Sequence, residues 1–206
     1  MSSCHDHDCL SSPLREDHIR VLKIVLAVNL AMFIVEAVGG LFFRSVALLG
    51  DSMDMLEDAL VYAVSLYVMD RSSRWKAGAA LGKGLVMLLL GLGVLGQTVH
   101  HAFSGVVPFA GGMGAVGVAA LAANALCLLL LYKHKDDDIN MRSTWLCSRN
   151  DVLANLGVML AAALVLWLGS PWPDIVIGGV IAAMILISSI GILREALHEL
   201  KEKQAR

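Results

Sequence analysis

Six long apolar segments follow one another along this chain and leave little room for other kinds of structure. Each has about 20 residues or more, the length that an α-helix needs to cross a bilayer. In lipid every backbone N–H and C=O must be bonded within the protein, which favours helices over open strands. The sequence therefore predicts an all-α integral membrane protein with six transmembrane helices, at residues 21–43, 45–69, 77–101, 109–132, 144–169 and 173–193.

The composition agrees with a membrane environment and excludes a soluble enzyme as the first hypothesis. Hydrophobic residues make up 57% of the chain and charged residues 17%. Soluble domains average about 45–50% apolar and about 25% charged residues. A formal net charge of -2, without any basic block, also argues against a nucleic-acid partner. The lipid bilayer is the expected surrounding.

Basic residues predict the orientation of the helices. Of the 16 Lys and Arg residues, only Arg44 falls in a joint on one side, and Lys83 and Arg149 lie inside spans. The others fall on the opposite side, which the positive-inside rule makes cytosolic. Both termini are thus expected in the cytosol. The predicted domains are a cytosolic leader over residues 1–20, a transmembrane transport domain over 21–193 and a short cytosolic tail over 194–206. No cleavable signal is recognisable, which favours a bacterial inner membrane.

Acidic side chains inside the second span are the most unusual feature of the sequence. Asp51, Asp54, Glu57 and Asp58 lie there, although a charge at the bilayer centre costs about 2.5–3.5 kcal/mol on insertion scales. At about 100° per residue, the three aspartates share one helix face and Glu57 lies on its flank. Such a stripe is stable only if its carboxylates are protonated, paired or bound to a cation.

The fifth span repeats this arrangement. Cys147 and Asp151 are four residues apart and share a face, with Asn155 one turn further on and Asn150 beside it. Spans two and five run in opposite directions, so Asp54 and Asp58 can meet Cys147 and Asp151 near the midplane.

Three carboxylates and one thiol form a four-ligand set that suits a tetrahedral Zn²⁺ ion, whereas sulfur disfavours Mg²⁺ and Ca²⁺. Four negative ligands exceed the charge of one divalent cation, so metal binding is expected to require proton release. The set therefore predicts a metal/proton exchanger.

Other interpretations of these residues stay open. Arg149 or Lys83 could each neutralise one acid in a structural ion pair, although five acids outnumber two bases. Cys147 could be a packing residue. A membrane enzyme is disfavoured, because no span holds a nucleophile with a partnering base and no loop is built to cradle phosphate.

Three stretches of the sequence resemble the cation diffusion facilitator family. They are Asn29 to Glu36 in span one, Ser45 to Asp58 in span two, and Ser148 to Val158 in span five. The resemblance implies six helices, cytosolic termini, a homodimer, and export of Zn²⁺ or related ions in exchange for protons. It also implies a transport site built from a pair in each of two helices, here Asp54 with Asp58 and Cys147 with Asp151.

Two features depart from the family pattern. Position 147 is Cys where the family usually has His or Asp. This predicts either that the site also accepts the softer ion Cd²⁺ beside Zn²⁺, or that water is the fourth ligand and the site binds metal more weakly. Most members also carry a cytosolic C-terminal domain that binds metal and helps to hold the dimer. The short tail after span six has no room for it, so a dimer through the transmembrane helices is expected.

Further polar residues complete the predicted metal chemistry. The leader run from Cys4 to Cys9 is typical of accessory metal capture or of a solvated tail; its ligand candidates are Cys4, His5, His7 and Cys9. Six residues are candidates for hydrogen bonding to the metal ligands or for a proton path, with helix packing as the alternative for the first two: Asn29, Glu36, Asp51, Glu57, Asn150 and Asn155.

The sequence thus predicts a secondary transporter, not an enzyme, that exports Zn²⁺, with Cd²⁺ or Co²⁺ as further substrates, in exchange for H⁺. No cofactor is expected. The alternative is a membrane metal sensor or accessory subunit that binds metal without translocating it.

Overall fold

A computed structural model describes the backbone over residues 12–68, 73–137 and 139–204, and most side chains between residues 16 and 198. Over these residues the chain is all-helical, as predicted. The six helices are α1 (Ser12–Phe43), α2 (Val46–Val68), α3 (Ser73–Ser104), α4 (Ala110–Tyr132), α5 (Ile139–Leu168) and α6 (Trp172–Gln204).

Several helices are longer than the apolar segments that predict them. α1 begins at Ser12, within the expected leader, and α6 continues to Gln204 through the expected tail. The apolar windows measure only the part that suits lipid, whereas helical hydrogen bonding continues through the polar residues on either side.

Five of the six helices are long and apolar enough to cross a membrane, and α2 is the exception among the described residues. Large apolar side chains on the other five are exposed, for example Phe42, Leu129 and Ile187. Such a surface suits lipid and would be an aggregation liability in water. In α2, by contrast, residues 46–63 and Leu66 are all at least partly buried. α2 packs against α1, α3, α5 and α6, so its acids are shielded from lipid.

Helices that follow one another in the chain run in opposite directions through the bundle. At one end His18, near the start of α1, contacts Asp137 in the turn between α4 and α5. At the other end the backbone N–H of Phe109 donates to the carbonyl of Phe43, joining the approach to α4 with the end of α1. This alternation is what a bundle of six spanning helices requires.

The bundle interior has three layers. One apolar cluster, which includes Leu48, Met113 and Val158, lies toward the end where α2 begins. A second cluster, which includes Tyr62 and Met141, lies toward the end where α5 begins. The acids of α2 and the polar residues of α5 fall between these clusters in both helices, so they form a buried polar layer near the middle of the bundle.

Asp174, in the first turn of α6, closes the N-terminus of α2. Its carboxylate accepts hydrogen bonds from the Ser45 hydroxyl at 2.6 Å and from the backbone N–H groups of Val46 and Ala47 at 2.8 and 3.1 Å. The Ser45 hydroxyl oxygen in turn accepts a hydrogen bond of 3.1 Å from the backbone N–H of Leu48. Helix N-terminal amides have no partner within their own helix, so α6 satisfies those of α2.

The same junction depends on a close approach of backbone at Gly178. A Cβ atom there would lie 2.8 Å from the carbonyl carbon of Val46 and 2.9 Å from the N of Ala47. We expect Gly178→Ala to lower the free energy of unfolding by about 1–3 kcal/mol, because backbone atoms must shift to relieve the clash.

Thermal unfolding of purified protein in detergent measures this effect. Gly179→Ala is the matched control, since its Cβ would lie 3.6 Å from the Thr98 methyl carbon, an ordinary contact. Equal stability of the two variants would contradict the close approach.

Candidate metal centre

The buried polar layer brings Asp58 of α2 and Asp151 of α5 into hydrogen-bonding contact. Both side chains are buried, and the Tyr62 hydroxyl donates to Asp58 Oδ2 at 2.8 Å. An ionised carboxylate is an acceptor only. The contact between these two carboxyl groups therefore requires a proton, and a cation between them could take its place.

A second contact between the same helices involves Asp51 and Asn155. The amide nitrogen of Asn155 donates to both carboxylate oxygens of Asp51, at 3.0 and 2.8 Å. The side-chain oxygen of Asn155 also accepts from Asn124 of α4, at 3.4 Å. Asp51 and Asn155, both suggested by the sequence, thus tie three helices together beside the Asp58 and Asp151 pair.

These two contacts show that α2 and α5 are antiparallel at this level. Asp51 meets Asn155 and Asp58 meets Asp151, so residue numbers rise along one helix as they fall along the other. Asp54 lies between the two contacts on α2 and is partly buried. The structure therefore places Asp54, Asp58 and Asp151 in one layer.

Glu57 belongs to a separate polar contact. Its Oε1 accepts from the Ser188 hydroxyl at 3.1 Å and lies 3.6 Å from the Lys83 ammonium. The ion pair that the sequence allowed between Lys83 and one of the acids is thus present, and its partner is Glu57. Arg149 instead lies over the Trp145 ring, 5.8 Å from its centroid.

Cys147 is exposed, although it lies on the inner half of α5. At about 100° per residue it is about 40° from Asp151, whereas Leu153 and Leu160, which face outward, lie about 160–180° away. Leu146 and Asn150, on one flank of Cys147, are also exposed, so the thiol lies at the border between the buried and the exposed faces of α5.

The four predicted ligands do not close around a common point in this conformation. Among the described residues, the only group of three or more His, Cys, Asp or Glu ligand atoms within 4.8 Å of one another lies elsewhere. Asp58 and Asp151 are together, while Asp54 and Cys147 are not within that distance of both. The metal site remains a prediction.

Several polar atoms near this layer have no hydrogen-bond partner within the described part of the chain. They include both carboxyl oxygens of Glu36, Asn29 Oδ1 and Ser148 Oγ, all buried. Buried polar groups are normally satisfied, and exceptions call for a functional or solvent explanation. Asn150, in contrast, is exposed on α5.

Three polar residues in or beside this layer were not predicted from the sequence. Tyr62 follows Asp58 by four residues, so its spacing alone put it on the same helix face. Ser148 precedes Asp151 by three residues and offered the same signal. Asn124 carried only a weak one, as a single amide in an apolar span. The leader ligands Cys4, His5, His7 and Cys9 lie outside the described residues.

Comparison with known proteins now identifies the family. The family model of the cation efflux transmembrane domain matches residues 22–201. This chain belongs to the cation diffusion facilitator family. The family resemblance is thereby confirmed, and together with the five apolar helices it makes the chain a multi-pass protein of the inner (plasma) membrane.

Relatives within this family are divalent-metal transporters by name. The zinc transporter ZitB of Yersinia pestis is 28% identical over 201 residues, which cover 91% of this chain and 64% of that protein. A cadmium, cobalt and zinc/H(+)-K(+) antiporter of Bacillus velezensis is 25% identical, covering 89% of this chain and 63% of the antiporter. The cation efflux system protein CzcD of Alcaligenes sp. is 25% identical, covering 98% and 66%. The chain thus spans about two thirds of the length of these relatives.

Proposed function

We propose that this protein exports divalent transition-metal cations from the cytosol in exchange for protons. The cation and the protons bind alternately to the same four side chains, those of Asp54, Asp58, Cys147 and Asp151. The observation that carries the proposal is the buried contact between the carboxyl groups of Asp58 and Asp151, on two antiparallel helices of a cation efflux domain.

Electrostatics links the two substrates of this exchange. Two carboxyl groups in contact share a proton when no cation is near, because two bare carboxylates would repel each other in a low-dielectric interior. A divalent cation that enters displaces this proton and draws the remaining ligands toward it. The same four groups therefore bind either metal or protons.

The conformation also supports alternating access. Neither Asp54 nor Cys147 is within 4.8 Å of both Asp58 and Asp151, and the Cys147 thiol is exposed. Closing α5 onto α2 around a cation would bring the thiol in and bury it. Release on the other side would then require opening at the opposite end.

We further propose that all six helices span the membrane with both termini in the cytosol. α2 has 23 residues, about 34 Å at about 1.5 Å per residue, enough to cross the hydrocarbon core. Its acids keep it from being apolar, but its neighbours separate it from lipid. The arrangement of basic residues supports the cytosolic termini.

The substrates follow from the ligand set and from the relatives. A thiol among carboxylates favours Zn²⁺ and Cd²⁺ over Mg²⁺ and Ca²⁺, and the relatives are named for zinc, cadmium and cobalt. The antiporter's name supports coupling to protons. A homodimer through the transmembrane helices remains part of the proposal.

Flux into proteoliposomes tests the proposal. Purified protein, reconstituted into vesicles whose lumen is more acidic than the medium, should accumulate Zn²⁺ while protons leave and the lumen becomes more alkaline, and collapse of the pH gradient should stop accumulation. Metal binding without flux in these vesicles would instead identify a sensor or accessory subunit.

Cys147 determines the choice of metal in this proposal. We expect Cys147→His to retain flux and to shift preference from Cd²⁺ toward Zn²⁺, because imidazole is a harder ligand than thiolate. Competition between the two ions in the flux assay measures the shift. Cys127→Ala, which removes the buried thiol of α4, is the control and should leave selectivity unchanged. Unchanged selectivity in Cys147→His would make Cys147 a packing residue.

A further inference from the structure

Two imidazoles and a carboxylate meet outside the polar layer, at the end of the bundle where α1 begins. His18 lies in the second turn of α1, and His134 and Asp137 lie in the turn between α4 and α5. Nε2 of His18 and Nδ1 of His134 are 2.8 and 2.9 Å from the same oxygen, Oδ2 of Asp137. Residues 119 positions apart in the chain thus form one cluster.

The geometry of this cluster is close to that of a three-ligand metal site. One ligand atom from each residue lies within 4.8 Å of the other two. In a tetrahedral site with bonds of about 2.0–2.2 Å, ligand atoms are about 3.3 Å apart. To admit a cation, the two distances from nitrogen to Oδ2 must lengthen by a few tenths of an ångström, and the two nitrogens must reach a similar separation from each other.

The surroundings favour ligation as well. His18 is only 6% exposed, and the rings of His18 and His134 make an edge-to-face contact with centroids 5.2 Å apart, which limits how they can turn. Asp137 is exposed, so a metal ion bound by these three residues can take water as its fourth ligand. Its two hydrogen bonds, to His18 and His134, hold the pKa of the Asp137 carboxyl below its usual value. The neighbouring Lys135 ammonium lies over the Tyr132 ring, at 3.9 Å.

We propose that His18, His134 and Asp137 form a second divalent-metal site, which binds Zn²⁺ or a similar ion that prefers nitrogen ligands. The bound metal links the start of α1 to the turn before α5. Two imidazoles with one carboxylate and one open position suit Zn²⁺, and they disfavour Mg²⁺ and Ca²⁺. This site is separate from the four predicted transport ligands. Because α5 carries Cys147 and Asp151, metal bound here restrains the helix that transport must move.

Binding of Co²⁺, whose absorption bands report tetrahedral nitrogen and oxygen ligands, tests the site without any transport. The full chain is purified with its other candidate ligands replaced: Cys4→Ser, His5→Gln, His7→Gln, Cys9→Ser, Asp54→Asn, Asp58→Asn, Cys147→Ser and Asp151→Asn. We expect this protein to bind about one Co²⁺ per chain with tetrahedral bands. Adding His134→Gln should abolish both, and adding His100→Gln, an exposed histidine at the opposite end, should change neither.

A second measurement uses the otherwise unchanged chain, in case the multiple variant does not fold. There His134→Gln should lower the Co²⁺ stoichiometry by about one equivalent, and Zn²⁺ should slow amide hydrogen exchange in residues 133–137 only when His134 is present. Identical stoichiometry and exchange with and without His134 would overturn the second site. Flux of the unsubstituted protein is independent of both results, so failure here leaves the proposed transport standing.

Discussion

Asp151→Ala should reduce metal flux in proteoliposomes to the level of protein-free vesicles. The substitution removes one of the two carboxyl groups whose contact links α2 to α5, and with it a proposed metal ligand and proton acceptor. Asp58→Ala should have the same effect. Asp54→Ala should nearly abolish flux, since we propose that Asp54 supplies a ligand once the site closes around the cation.

Flux is measured alongside elution profile and helix content, so that loss of transport is separated from loss of folding. Glu195→Ala removes an exposed acid from α6 and should transport like the unsubstituted protein. Asp151→Asn keeps the shape of the side chain without its charge and should be as inactive as Asp151→Ala. Unimpaired flux in either Asp151 variant would refute the site.

Asp174→Ala should give the largest loss of stability among substitutions away from the metal centre, about 3–5 kcal/mol. It leaves the Ser45 hydroxyl and the N–H groups of Val46 and Ala47 buried without their partner, and each orphaned group costs about 1–3 kcal/mol. It also removes a negative charge from a point where the N-termini of α2 and α6 meet, where helix dipoles favour it. Thermal unfolding in detergent or nanodiscs measures the loss.

Ser170→Ala is the matched control for this effect. The Ser170 hydroxyl accepts a long hydrogen bond of 3.4 Å from the exposed N–H of Trp172 at the start of α6. Its loss should cost about 0.5–1 kcal/mol, the low end for a helix cap. Asp174→Asn keeps an acceptor oxygen and should fall between the two. A loss in Asp174→Ala no greater than in Ser170→Ala would show that α2 finds other partners for its N-terminus.

The elements of the fold were predictable because lipid imposes a simple requirement. Apolar segments of membrane length, divided by Arg44 and by the Gly169 to Pro173 joint, located all six helices. The ends of the helices were less predictable. α1 and α6 continue through polar residues outside the apolar segments, where hydrophobicity no longer indicates a helix.

The candidate site was only partly predictable. Helical spacing placed Asp54 and Asp58 on one face and paired α2 with α5, and the contact between Asp58 and Asp151 agrees with that expectation. Spacing did not predict that Glu57 would pair with Lys83 and Ser188, because these partners lie on α3 and α6, far along the chain. Spacing also did not predict the cluster of His18, His134 and Asp137, since His18 is 119 positions from Asp137 in the chain.

The sequence by itself determined that this chain is a helical membrane protein with four carboxylates in its second segment and one, Asp151, in its fifth. It could do so because hydrophobicity and helical periodicity are local properties. Only the tertiary structure decided that α2 is enclosed by its neighbours, that Asp174 completes its first turn, and that the Cys147 thiol is exposed. These outcomes depend on which helix packs beside which. The cost of burying a charge is set by the atoms around it, and those atoms come from distant parts of the chain.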